Sequence, residues 1–189
     1  PHTCFLHIKE LQPGSWMRVT LDGIQVEKYW EWPDHQDSTV TELDSGLEAV
    51  RTVLSDSVAA HTVSDVPIAG ILSGGIDSSV IVALLSKQME GKLKTFTVSF
   101  DEAGYDESAY ARAVAERSGT DHHEIHIGSG TGTVELFCQI VSQYDLPFGD
   151  SSCIPTYLLS QAIADKTKVA LSGDGGDELF AGYRRYGQL

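Results

Sequence analysis

After Pro67 the sequence alternates short apolar runs with amphipathic stretches, and two of those runs end in glycine-rich turns. No other feature narrows the possible folds so far. The run Ile68 to Leu72 leads into Ser73-Gly74-Gly75, and residues 77–89 then follow a helical period through Val80, Ala83 and Leu84. Residues 95–100 and 123–127 read as strands, and residues 107–118, 133–144 and 155–164 as helices, the first of them stopping at Gly119. Residues 168–171 form a last strand that runs into the second glycine-rich turn, and 178–183 begin another helix. Strands separated by helices cannot be hairpins. They pair in parallel, with the crossover helices covering the sheet. The expected class is therefore α/β, a parallel twisted sheet flanked by helices.

The first 33 residues have a different grammar. Cys4, Leu6 and Ile8 alternate with polar neighbours, and residues 16–21 and 24–30 flank Asp22-Gly23, a hairpin signal. Residues 34–38 are polar and unpatterned, and read as a linker. From Thr39 the period turns helical through Leu43, Leu47, Val50, Leu54 and Val58, with Thr39 and Glu42 spaced as a capping box. Taken alone, 189 residues suggest one domain with a small appendage, and 41% hydrophobic residues suffice for a core. A net charge of −14, with no Lys or Arg between Ser118 and Asp165, excludes a nucleic-acid backbone as the main partner. No apolar run approaches the ~18 residues of a membrane span, and no signal-peptide pattern is present. Cys4, Cys138 and Cys153 are too few and too scattered for a disulfide framework or a zinc site. A reduced, soluble, cytoplasmic protein is expected.

The first turn, Ser73 to Ser79, is built as an oxyanion cradle. Glycines let backbone approach a ligand, and the helix that follows presents unpaired N–H groups and the positive end of its dipole. Ser73, Ser78 and Ser79 add hydroxyls. No Gly-Lys-Ser/Thr follows, so this is not a Walker A loop, and the Gly-x-Gly-x-x-Gly dinucleotide pattern is absent. Asp77 would repel a phosphate unless a cation lay between them, which points to Mg²⁺; the alternative is that Asp77 caps the helix and the glycines only tighten the turn. The second turn packs three glycines and three acids into Gly173 to Glu178. Such a segment is expensive to order without a ligand. It lacks the ligand spacing of an EF-hand, whereas a magnesium–phosphate complex shared with Asp77 accounts for acids and glycines together. An acidic surface loop with Asp177 as a helix cap is the alternative.

Together, Ser73-Gly74-Gly75-Ile76-Asp77-Ser78-Ser79 and Ser172-Gly173-Asp174-Gly175-Gly176-Asp177-Glu178-Leu179-Phe180-Ala181-Gly182-Tyr183 resemble the synthetase domain of glutamine-dependent asparagine synthetases, in the ATP-pyrophosphatase superfamily. Thr95 to Phe100, Tyr105 to Ser108 and Phe148 to Ser152 are similar to the same family, and the likeness runs from about Pro67 onward. Residues 1–33 resemble the last strands of the family's amino-terminal, Ntn-type glutaminase domain. The resemblance thus divides the chain into a glutaminase remnant (1–33), a linker (34–38) and a synthetase domain (39–189) incomplete at its carboxyl end. It implies an adenine nucleotide alpha hydrolase-like fold. It also implies that Ser73, Gly74, Gly75, Asp77, Ser78 and Ser79 hold the β- and γ-phosphates of ATP, and that Asp77 and Asp177 bind Mg²⁺. Ile71, Val98, Ser172 and Gly173 would contact adenosine, and Asp174 and Glu178 would be the catalytic carboxylates. The implied reaction is amidation of aspartate through a β-aspartyl-adenylate, with ammonia supplied by glutamine hydrolysis in an upstream domain. Aspartate and ATP would be the substrates; a homodimer is left open.

The sequence departs from the family pattern in two places. The glutaminase uses a cysteine as its first residue, but residue 1 is Pro and Cys4 falls in an expected strand, where a packed thiol fits better. The family's catalytic lysine lies on helices beyond the second turn; Lys166 and Lys168 precede the wrong element. Two rival functions remain: the same adenylation chemistry on another carboxylate, closing a lactam or a macrocycle, or a non-catalytic ATP-binding module. Among weaker signals, His122, Glu124 and His126 share a strand face, for which a polar strand end fits better than a metal site. Cys138 and Cys153 read as core, and the Trp residues as hairpin packing. Tyr183, Arg184, Arg185 and Tyr186 would either cover the nucleotide or form a helix surface.

Overall fold

The computed structural model describes residues 2–32, 42–101, 104, 106–128, 134–144, 149–150 and 152–188. Strands β1 (Ser15–Thr20) and β2 (Gly23–Lys28) form an antiparallel hairpin in which Thr20 pairs with Gly23, so the turn is Leu21-Asp22 and not Asp22-Gly23. Helix α1 (Leu43–His61) follows, and then β3 (Ile68–Ile71), α2 (Ile76–Gln88), β4 (Lys94–Phe100), α3 (Ser108–Ser118) and β5 (Asp121–Ile127). Helices α4 (Val134–Tyr144) and α5 (Cys153–Ile163) lead to β6 (Val169–Leu171) and α6 (Gly176–Phe180), and residues Arg184–Gln188 close with a 3-10 turn. The expected class holds: β5, β4, β3 and β6 lie side by side in that order, every pair parallel.

Hydrophobic alternation along β3 explains how both faces are covered. Ile68 packs on one face with Val58 of α1, Val82 and Leu85 of α2, and Ala111 and Ala115 of α3. Ala69 faces the other way, against Phe96 of β4 and Leu159 and Ile163 of α5. Gly70 lets α2 sit close, since a Cβ there would come within 3.0 Å of a Val82 methyl.

Several expected details differ. Residues 2–9 make only an isolated bridge between His2 and Lys9, with Leu6 at 89% exposure, so the alternation there does not build a strand. Cys4 and Cys138 are exposed, leaving Cys153 as the thiol packed in the core. Trp30 and Trp32 do meet edge to face beside the hairpin, 5.1 Å between ring centroids. The expected linker and Thr39 lie outside the described residues. Glu42 occupies the N-cap of α1 itself, without a side-chain cap bond, so the capping box is not formed there. Strand β5 begins two residues early because all seven of its residues pair with β4; polar side chains are tolerated at a sheet edge. Helix α6 ends at Phe180, not Tyr183, because Ala181 adopts φ +57°, a left-handed conformation costing about 1 kcal/mol for a residue other than glycine.

Candidate functional site

The strand order reverses at β3. From β3 the chain builds outward to β4 and β5, then returns across α4 and α5 to add β6 on the opposite side of β3. In an open parallel sheet the crevice for ligands opens outside the carboxyl ends of the strands at such a reversal. The residues that follow β3 and β6 are the two glycine-rich turns.

The ladder is extended by one bond from the Leu72 amide to the Phe96 carbonyl (2.8 Å), after which the chain leaves the sheet. The Ser73 amide donates to Ser78 Oγ (3.1 Å), and the Ser73 and Ser78 hydroxyls lie 2.9 Å apart. The Ser79 hydroxyl donates to the Gly75 carbonyl at 2.6 Å. Thus Ser78 and Ser79 shape the turn with their hydroxyls, which leaves the first amides of α2 as its outward donors. Gly74 has φ +86°, and a Cβ there would lie 2.8 Å from Tyr110 Cβ and 2.9 Å from the Ala111 amide nitrogen. Only glycine fits between this turn and α3.

The second turn docks on the first. A Cβ on Gly173 would stand 2.5 Å from the Ser78 backbone nitrogen, and one on Gly176 would stand 2.7 and 2.8 Å from the two oxygens of Asp77. The acidic turn is therefore seated directly on the start of α2, with the Asp77 carboxylate against the Gly176 backbone. Within it, Ser172 Oγ donates to Asp174 Oδ2 (2.8 Å), and the Tyr183 hydroxyl donates to Glu178 Oε1 (2.6 Å). That bond holds the Glu178 carboxyl below the usual carboxylate range and pushes the Tyr183 phenol up to about 12.

A cavity of about 450 Å³ lies between the turns. Ten of the residues expected from the sequence line it: Ile71, Ser73, Gly75, Asp77, Ser78, Ser172, Gly173, Asp174, Asp177 and Glu178. Three do not. Gly74 and Ser79 face the groove between α2 and α3, and Val98 packs among the core residues under α5. Three further lining residues were not among the expected site residues: Asp150, Gly175 and Tyr183. Asp150 had a readable signal: its Oδ1 accepts the Ser152 amide (2.9 Å) in an Asx-type turn just before α5, which also keeps its carboxyl low. Tyr183, which the sequence leaves as either a cover for the nucleotide or a helix surface, reaches the wall through the left-handed Ala181.

Among the described residues, the cavity wall carries five carboxylates and no Lys, Arg or His. Hard oxygen donors beside amide donors suit Mg²⁺ bound through one or two carboxylates and phosphate oxygens. No group of three or more candidate ligands that would cage a metal without such a partner occurs among the described residues. The β5 histidines are used elsewhere. His122 Nδ1 lies 2.9 Å from Thr95 Oγ1, Glu124 takes a bidentate bond from Arg112, and His126 Nε2 is 3.0 Å from Asp101. Among the described residues no helix is long and apolar enough to cross a membrane.

Residues 49–189 match the family model described as asparagine synthase. Asparagine synthetase [glutamine-hydrolyzing] 1 of Bacillus subtilis is 37% identical over 98% of this chain and 29% of its own length. Amidase chyE of Penicillium rubens is 31% identical over 96% of this chain and 30% of its own length. Among solved structures, an NH3-dependent NAD synthetase from Campylobacter jejuni superposes with a TM-score of 0.47 at 15% identity, covering 72% of this chain and 60% of that one. The chain spans about three-tenths of the length of those two curated relatives.

Proposed function

The chain belongs to the asparagine synthase family, and from that premise we propose that it forms the ATP-binding part of a synthetase that amidates the side-chain carboxylate of aspartate. The observation that carries this reading is the seating of the acidic turn on the start of α2, which places Asp77, Asp177 and the amides of α2 around one cavity. The first amides of α2 and the Ser73 turn would receive the β- and γ-phosphates. Asp77 and Asp177 would hold Mg²⁺, which supplies neutralisation of the polyphosphate charge. Ile71, Ser172 and Gly173 line the wall where the nucleoside would enter. Val98 would take part only through the packing beneath that wall.

The chemistry asks little of the protein beyond positioning and charge. A side-chain carboxylate oxygen of aspartate attacks the α-phosphorus, the bond to the β-phosphate oxygen breaks, and pyrophosphate leaves. Ammonia nitrogen then bonds to the acyl carbon, the carbon–oxygen bond to AMP breaks, and the surplus proton on nitrogen passes to a carboxylate. Asp174 and Glu178 are the acceptors we assign to this step. Ammonia would come from a glutaminase domain in the longer protein, of which residues 1–33 would be the final strands, and the setting would be cytoplasmic.

The test is ATP–pyrophosphate exchange by the full-length protein with aspartate and a panel of other carboxylates. Aspartate-dependent exchange supports the reading. Exchange only with another acid would transfer the site to a lactam- or macrocycle-forming reaction, and none with any acid would leave an ATP-binding module.

A further inference from the structure

The chain does not run on from α6; it turns back on it. Ala181, at φ +57°, ends the helix, and the Gly182 amide donates to the Asp177 carbonyl at 3.0 Å. Gly182 lies so close to Asp177 that a Cβ there would collide with its carboxylate. One residue later the Tyr183 hydroxyl donates to Glu178 Oε1 at 2.6 Å. Behind this bond the Arg185 guanidinium lies over the Tyr183 ring, 4.5 Å from its centroid, and Tyr186 meets the same ring edge to face at 5.6 Å. The returning chain therefore meets both consecutive acidic residues at this end of the cavity, Asp177 through the Gly182 backbone and the Glu178 carboxylate through the Tyr183 hydroxyl.

We propose that Tyr183 is a positioning residue: its hydroxyl occupies one oxygen of Glu178 and fixes that carboxylate in the cavity wall, while Arg185 and Tyr186 fix the phenol ring. The inference rests on the proposed function for what Glu178 does, and on the geometry alone for what Tyr183 does to Glu178. The flexible glutamate side chain samples many rotamers, and an exposed one has no packing to select among them. With one oxygen engaged by a ring that is itself stacked, the other oxygen has a defined place from which to accept a proton from the attacking amine. A misplacement of about 1 Å can cost a reaction on the order of 100-fold, so the hydroxyl is worth far more in rate than in stability.

The experiment uses the full-length protein. Tyr183→Phe keeps the ring and its stacking on Arg185 and removes only the hydroxyl. The expected result is a fall in kcat of amide formation of about 10- to 100-fold with the KM for ATP unchanged within about twofold. In a Glu178→Gln background the same change should add almost nothing, because the two act as one unit. An unchanged kcat, or an equal loss in both backgrounds, would overturn the proposal. A second readout does not depend on turnover. The ¹⁹F resonance of 3-fluorotyrosine at position 183 should shift on Glu178→Gln; a resonance indifferent to that change overturns the proposal even if aspartate is amidated. A coupled resonance in a protein that exchanges with no carboxylate would uphold Tyr183 and overturn the assigned reaction instead.

Discussion

Asp77 is the residue on which the two turns depend, since it opens α2 and lies against the Gly176 backbone. The N-cap of α2 is Gly75, without a side-chain cap bond, so Asp77 is not the helix cap; if it served only the helix dipole, a neutral isostere would change little beyond stability. Were it a magnesium ligand, as proposed, its charge would be essential. Asp77→Asn, and separately Asp177→Asn, should weaken Mg-ATP binding about 10- to 100-fold, because an interaction with a charged group is worth roughly 1.5–3 kcal/mol. Isothermal titration with and without Mg²⁺ checks this; unchanged affinity would leave both residues as first-turn carboxylates that serve only the helix dipoles. A different prediction concerns His122, whose Nδ1 meets Thr95 while its Nε2 is buried without a hydrogen-bond partner among the described residues. Burial, the largest influence, lowers its pKa below 6.5. Its depressed titration contributes stability above pH 6.5, which is lost as pH falls from that value through the folded pKa, because the unfolded chain takes the proton first. The imidazole proton resonance should titrate with a midpoint below 6.5, and His122→Gln should flatten the loss of stability on that acid limb. A midpoint at or above 6.5 would contradict the burial.

At the scale of the element, α2 and the acidic turn behave as one unit although they are distant in sequence. Gly173→Ala would place a methyl 2.5 Å from the Ser78 amide nitrogen, and neither partner is a flexible side-chain end. The turn must lift, which we expect to cost about 1–3 kcal/mol of stability, the usual penalty for overpacking, and at least tenfold in ATP affinity. Urea denaturation and nucleotide titration of the variant measure the two effects; full affinity would mean that the contact yields. This close approach was not legible in the sequence. Strand-glycine-helix punctuation at Ser73-Gly74-Gly75 and at Ser172-Gly173 declared two ligand turns because glycine spacing is a local property. Seating one turn on the other is a property of strand order, and no local pattern states that β6 lies beside β3. The same limit explains the errors at the edges. Cys4, Leu6 and Ile8 alternate like a strand but have no paired strand beside them among the described residues, and Glu42 reads as the last residue of a capping box until the helix start is known. Asp150 and Tyr183 join the cavity through a loop and a left-handed residue, neither of which periodicity registers.

For the whole molecule, the acidity divides in two. Five of the 27 Asp and Glu residues line one cavity whose wall, among the described residues, holds no basic side chain, while most of the remainder face water. Bringing those five together opposes folding by mutual repulsion, which a bound cation relieves. Mg-ATP at 100 times its dissociation constant should therefore stabilise the full-length protein by about 2.7 kcal/mol, seen as a rise in Tm. ATP with EDTA should give little of that rise. Equal shifts with and without the metal would argue against the acidic wall as a cation site.

The seating of Gly173 on Ser78 also sets an order of events during synthesis. The cradle after β3 leaves the ribosome roughly a hundred residues before its counterpart after β6, and contacts of such sequence separation form late because a long loop must first be closed. Until β6 has inserted beside β3, a nascent chain has the amides of α2 and Asp77 but no opposing wall. On the proposed function, nucleotide capture would thus certify that β6 is home: a partly made or misfolded chain would have no completed pocket with which to sequester ATP.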